Sequence, residues 1–211
     1  GSVTLLSALT LSACGNGEKK TAETIAAPTT EVAKETTAAP TTTAPTTTAG
    51  ASSTTKEISL SDTQRVGREA SGYVNVPKDW VAYQDRNTGS QFQFSSPDKY
   101  NVLSMNAYTK DSVKLANGET FGAELIANRL YDHWQNDKQQ TSLQGSRAKF
   151  AGEDSYLMNI AFSDGKYMYE WVVQKGEKVY ALAIEGTADM INSLRPILEQ
   201  SFGLDPKTPG K

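Results

Sequence analysis

Few residues in this chain could carry chemistry. Histidine occurs once, at position 133, and cysteine once, at position 14. Two such singletons exclude an intramolecular disulfide, a cysteine-rich metal site and a site built on paired histidines. Any ligand set would have to be carboxylates gathered around His133. A nucleophile triad needs an exposed elbow serine and a histidine oriented by an acid, and no Gly-x-Ser-x-Gly run is present. No Gly-rich phosphate loop or dinucleotide fingerprint follows a strand-like run. Glu153 and Asp154 are adjacent acids beside Gly152, which reads as a turn rather than a catalytic pair. The expectation is therefore no catalytic set, no cofactor and no metal. His133 lies one turn from Leu130 on the edge of an apolar stripe. It reads as a structural histidine, with a role as ligand or base as the alternative.

The aromatic residues are the other candidates. Tyr167, Tyr169 and Trp171 alternate with Met168, Glu170 and Val172, so a strand would place the two sets on opposite faces. The aromatic set fills a sheet core under a helix or, alternatively, forms a platform for a glycan or peptide. Glu170 is then the odd residue, a charge that must reach solvent, an edge or a partner. Trp80, just after Pro77, pins a loop to the core or serves as an exposed anchor. Trp80, Glu170 and Trp171 are the candidate binding residues on this reading.

Cys14 has a more definite context. Gly1-Ser2 reads as the scar of a cleaved tag. The short apolar run from Val3 to Leu11 is too short to span a bilayer. It ends in Leu11-Ser12-Ala13-Cys14-Gly15, which resembles a bacterial lipobox: a thiol for thioether formation, preceded by small residues that fit a signal peptidase. Residues 1–14 thus read as a tag scar and a signal-peptide remnant, with Cys14 as the lipidation site.

Residues 15–57 read as a disordered linker. Ala-Pro-Thr-Thr recurs at positions 27, 39 and 44, and no aromatic residue or histidine occurs before Ile58. Such a segment cannot bury enough apolar surface to offset its ordering entropy, and its prolines favour extended geometry. Some 40 residues would span about 35 Å as a coil and up to about 120 Å if extended. The formal net charge is −3, and five acids and four lysines fall before Ile58, so the remainder is close to neutral. That lacks the basic footprint of phosphate binding, and nucleic acid is not an expected partner.

Residues 58–211 hold enough apolar residues for one core. Alternation predicts strands over 72–77, 80–83, 91–94, 102–108, 147–150, 156–162, 167–173 and 179–184. Leu125, Ile126, Leu130 and Trp134 predict a helix over about 120–138. Ile191, Leu194, Leu198 and Phe202 predict a last one, with Pro196 implying a kink or a second start near Leu194. Strands joined by tight turns, several of them apolar on both faces, require an antiparallel sheet covered on both sides. The fold class is α+β: an αβα sandwich with a central antiparallel sheet, preceded by the tether.

Gly72-Tyr73-Val74-Asn75-Val76-Pro77-Lys78-Asp79-Trp80 is similar to the opening of PsbP-like bacterial lipoproteins. Leu198-Glu199-Gln200-Ser201-Phe202 resembles their closing helix. The resemblance covers residues 66–204 and implies the same αβα sandwich. The superfamily spans a photosystem II subunit and a Ran-binding nuclear import factor, so the resemblance implies no common activity.

The expectation is a lipid-anchored protein on the outer face of a cell membrane. Its monomeric domain acts as a non-enzymatic binding or adaptor module. The partners would be the membrane, through lipidated Cys14, and another envelope protein or cell-wall component. The alternatives are an envelope enzyme with an unrecognised site and a structural cell-surface protein without a small-molecule ligand.

Overall fold

The computed structural model describes residues 56–85 and 91–211. The signal remnant, Cys14 and nearly all of the linker therefore lie outside the described residues. Nine strands follow in order: β1 (Thr63–Arg68), β2 (Gly72–Pro77), β3 (Val81–Ala82), β4 (Phe92–Ser95), β5 (Val102–Tyr108), β6 (Gln140–Phe150), β7 (Glu153–Phe162), β8 (Tyr167–Lys175) and β9 (Lys178–Gly186). Helix α1 (Ala123–Gln135) separates β5 from β6, and α2 (Ala188–Ser201) follows β9.

Strands β3 to β9 form one seven-stranded sheet in the order β3-β4-β5-β9-β8-β7-β6, antiparallel at every junction. The fold is therefore α+β, as the alternation and turn chemistry require. Gly165 and Gly176, both with positive φ, stand at the turns that join β7 to β8 and β8 to β9.

Two cores fill the sandwich, one on each sheet face. On the α1 face, Ile126, Leu130 and Trp134 pack with Met158, Ile160, Met168 and Val172. On the other, Ile191, Leu194, Leu198 and Phe202 of and just beyond α2 pack with Leu103, Leu157, Trp171 and Leu182. The two periods seen in the sequence thus meet: every third or fourth helical residue faces every second strand residue.

The β1–β2 hairpin is a separate two-stranded sheet beside α2. Its attachment explains why glycine opens the motif and phenylalanine ends the closing helix. Gly72 has φ +86°, and a Cβ there would come within 2.8 Å of the Phe202 ring. Tyr73 and Gly203 exchange backbone bonds at 2.8 and 3.0 Å. Asn75 N–H donates to the Ser201 hydroxyl at 3.0 Å, and Arg65 donates to the Ser201 carbonyl at 2.8 Å. The two ends of the described domain are in this way sewn together.

The element bounds differ from expectation where side chains are polar. β6 runs eleven residues rather than four, and β1 had no counterpart among the expected strands. Pro196 neither divides nor ends α2. It is exposed, so the carbonyl left without its N–H donor lies on the solvent side of the helix.

Candidate functional site

The centre of β8 places Glu170 and Trp171 on opposite faces of the sheet. Glu170 is opposite Met158 on β7 and Ala183 on β9, among the α1-side core residues. It is only 2% exposed. The indole N–H of Trp134 donates to its Oε1 at 3.0 Å. Burial pushes the carboxyl up to about 7, and the indole bond offsets part of that rise. Tyr108, on the same side, is also buried. Burial raises its pKa, the neighbouring Asn106 side chain opposes the rise, and the Glu170 charge adds to it. The expected partner of Glu170 is thus found inside the core: a tryptophan rather than solvent.

Trp171 is fully enclosed. Its ring stacks on Phe150 at 5.3 Å, and its N–H donates to Glu199 Oε2 at 3.1 Å. The reading of Trp171 as an exposed anchor is excluded by this burial; it is core. Trp80 is 3% exposed. Its backbone is fixed by N–H donation to the Pro77 carbonyl at 3.0 Å and by the Gln64 side-chain amide on its own carbonyl at 2.8 Å. It pins the turn after β2, and its remaining surface belongs to a groove.

His133 sits in the last turn of α1, half-buried and edge-on to Trp134 at 4.8 Å. Burial lowers its pKa, Asp137 opposes that shift, and Nε2 has no partner among the described residues. No group of three or more potential metal ligands occurs among the described residues.

A second buried carboxylate lies on the same face of the sheet as Glu170. Glu185, on β9, is 2% exposed, with the Lys166 ammonium 3.8 Å away. That ammonium also lies over the Tyr100 ring, 4.5 Å from its centre. Burial lifts the Glu185 carboxyl to about 7, and Lys166 counters the rise. Glu185 continues the alternate series Val179, Ala181, Ala183 on the α1 face.

Open grooves also occur among the described residues. One, about 750 Å³, lies between the loop from Thr109 to Phe121 and the β8–β9 turn, lined by Lys110, Lys178, Asp111, Glu177 and Glu119, the last of which is paired with Arg129 at 2.6 Å. Another, about 580 Å³, occupies the Trp80 corner. Its apolar floor is Ile58, Pro77, Trp80, Pro97 and Met190; its rim is Glu57, Asp62, Asp79 and Asp98, against Lys56 alone. Asp98 is fixed at Oδ1 by the Ser96 hydroxyl (2.6 Å) and the Tyr100 N–H (3.0 Å), which hold its carboxyl below the usual range. No helix among the described residues is long and apolar enough to cross a membrane.

No protein-family model matches the chain. No curated protein matches it. Solved structures do. The PsbP protein of Synechocystis sp. PCC 6803 is 12% identical, over 71% of this chain and 94% of that one, with a TM-score of 0.43. LpqN, involved in cell envelope biogenesis of Mycobacterium tuberculosis, is 13% identical over 66% and 88%, with a TM-score of 0.43. A Bacteroides thetaiotaomicron protein is 15% identical over 69% of this chain but only 50% of its own, with a TM-score of 0.45. A PsbP protein is among the solved structures similar to the chain.

Proposed function

We propose that the protein is an extracytoplasmic lipoprotein, anchored through Cys14, whose folded domain is a non-enzymatic binding or adaptor module. The observation that carries the binding role is the groove at the Trp80 corner: an apolar floor edged by carboxylates, open to solvent. The groups whose pKa values are strongly raised support the same reading by their location, while Asp98, which does line the groove, is shifted downward by its turn hydrogen bonds. Glu170 and Tyr108 are sealed in the core, and Glu185 is covered beside Lys166; none of them lines either groove. An enzyme would need such groups to converge on an accessible cleft. Anchoring rests on the apolar run and the small residues before Cys14.

Two measurements test this. The gene is expressed with its own signal sequence, and the product is partitioned between detergent and aqueous phases. Wild type should enter the detergent phase and Cys14→Ser should not; retention of the variant there overturns the anchor. Envelope extract is then passed over wild type and an Asp62→Lys/Asp79→Lys variant. The binding role expects partners that the variant loses, and identical recovery by both overturns it.

A further inference from the structure

We infer that the Trp80-corner groove takes a cationic, extended peptide segment: a lysine- or arginine-bearing stretch of a partner polypeptide, its charged heads on the rim and its stems on the floor. This rests on the binding role proposed above and names the class of ligand.

Charge selects the occupant. Four carboxylates line the groove against one ammonium, in a chain whose overall charge is only −3. Glu57, Asp62 and Asp79 make no ion pair among the described residues. Lys78 and Lys99 neighbour Asp79 and Asp98 in sequence but do not line the groove. A phosphate or acidic peptide would be repelled here, whereas a cation would be steered in.

The floor selects among cations. Lysine and arginine lay three or four methylenes along apolar surface while the charged head stays hydrated. A floor of prolines, isoleucine, methionine and the accessible part of Trp80 suits such stems and does nothing for a bare inorganic ion. A groove rather than an enclosed cavity also lets a chain pass through and continue on either side.

The walls are set before binding. The Gln64 amide ties the carbonyls of Pro77, Lys78 and Trp80 at 3.2, 3.1 and 2.8 Å. Opposite, the Ser96 hydroxyl accepts from Asn101 N–H at 3.1 Å, and Asn101 Oδ1 accepts from Thr187 N–H at 3.0 Å. That last bond joins the 96–101 turn to the N-cap of α2, beside Met190. Rigid walls leave less ordering to be done on binding.

The probe is a fluorescein-labelled peptide of alternating lysine and leucine, with a glutamate–leucine peptide as counterpart. Both are titrated into the full chain by fluorescence anisotropy and by backbone amide NMR. The lysine peptide should saturate, weaken several-fold as NaCl rises from about 50 to about 300 mM, and shift amides of residues 78–80, 96 and 98–101. Glu57→Gln/Asp62→Asn/Asp79→Asn should weaken it by about tenfold. Glu69→Gln/Glu153→Gln/Glu177→Gln, which removes as much charge elsewhere, should leave it unchanged. Equal loss in both triple variants overturns the inference in favour of net charge alone. Equal binding of the glutamate peptide leaves an apolar groove and overturns the cation. Shifts confined to another face overturn the location while leaving a binding module. No binding of either peptide overturns the ligand class, and the envelope-extract comparison still reports on the binding role. Tighter binding by a Lys19→Gln/Lys20→Gln/Lys34→Gln variant would show the chain's own linker in the groove and overturn a foreign partner.

Discussion

Two tryptophan–glutamate pairs stand back to back across β8. On the α1 face the strand supplies the acid, Glu170, and the helix supplies the indole of Trp134, at 3.0 Å. On the α2 face the strand supplies the indole of Trp171 and the helix supplies the acid, Glu199, at 3.1 Å. The bonds are nearly the same length, yet their surroundings differ. Glu170 is sealed, with a neutral donor. The Glu199 side chain is 23% exposed and also accepts from Arg195 Nε at 3.2 Å. Water and a guanidinium share the second charge, while nothing but an indole dipole shares the first. A buried carboxyl with a raised pKa is therefore a consequence of sheet packing here, and the groove proposed for binding lies elsewhere, at a corner whose acids are exposed.

The contrast can be broken by substitution. The largest loss should come from Trp171→Ala, which empties a fully enclosed ring site between Phe150 and α2 and should cost about 3–5 kcal/mol. Denaturant unfolding would show a domain near the edge of stability, and a change under about 0.5 kcal/mol would refute the core placement. Trp134→Phe comes next. It keeps an aromatic ring but withdraws the donor from a sealed acid, so about 1–3 kcal/mol should be lost. The matching Trp171→Phe should lose less than Trp134→Phe, because Glu199 keeps Arg195 and solvent. Equal losses would erase the distinction between the two pairs. Smallest is Arg195→Ala, one turn from Glu199 on α2 and partly exposed, expected to cost about 0.3–1 kcal/mol by the same assay.

How much could be read from residues alone follows the same physics. β5 was legible to the residue because Val102–Tyr108 is bounded by turn chemistry and buried along most of its length. α1 was legible from its stripe, although it starts at Ala123 rather than near Thr120. β6 was cut short because an edge strand needs no apolar alternation: most of Gln140–Lys149 faces water at least in part. β1 was invisible for a related reason, since Thr63–Arg68 owes its place to pairing with β2 and to contacts with the far end of the chain. Glu170 was recognised as anomalous, but pairing it with Trp134 required knowing that residues 36 apart in sequence meet. The groove was legible least. Its lining comes from five separate stretches between Lys56 and Met190, and no local motif records their meeting.

The most direct test of the sealed-acid account is the pH dependence of unfolding for wild type and Glu170→Gln. A carboxyl near 4.5 when unfolded and about 7 when folded binds its proton more tightly in the native state. Its favourable contribution is complete below pH 4.5 and is lost as pH rises through 7. The variant keeps an acceptor for Trp134 and carries no charge. Wild type and variant should therefore unfold with similar free energies near pH 4.5, and the variant should gain on the order of 3 kcal/mol by pH 8. A difference independent of pH, or a variant less stable at pH 8, would contradict the account and return Glu170 to the list of accessible, functional carboxylates.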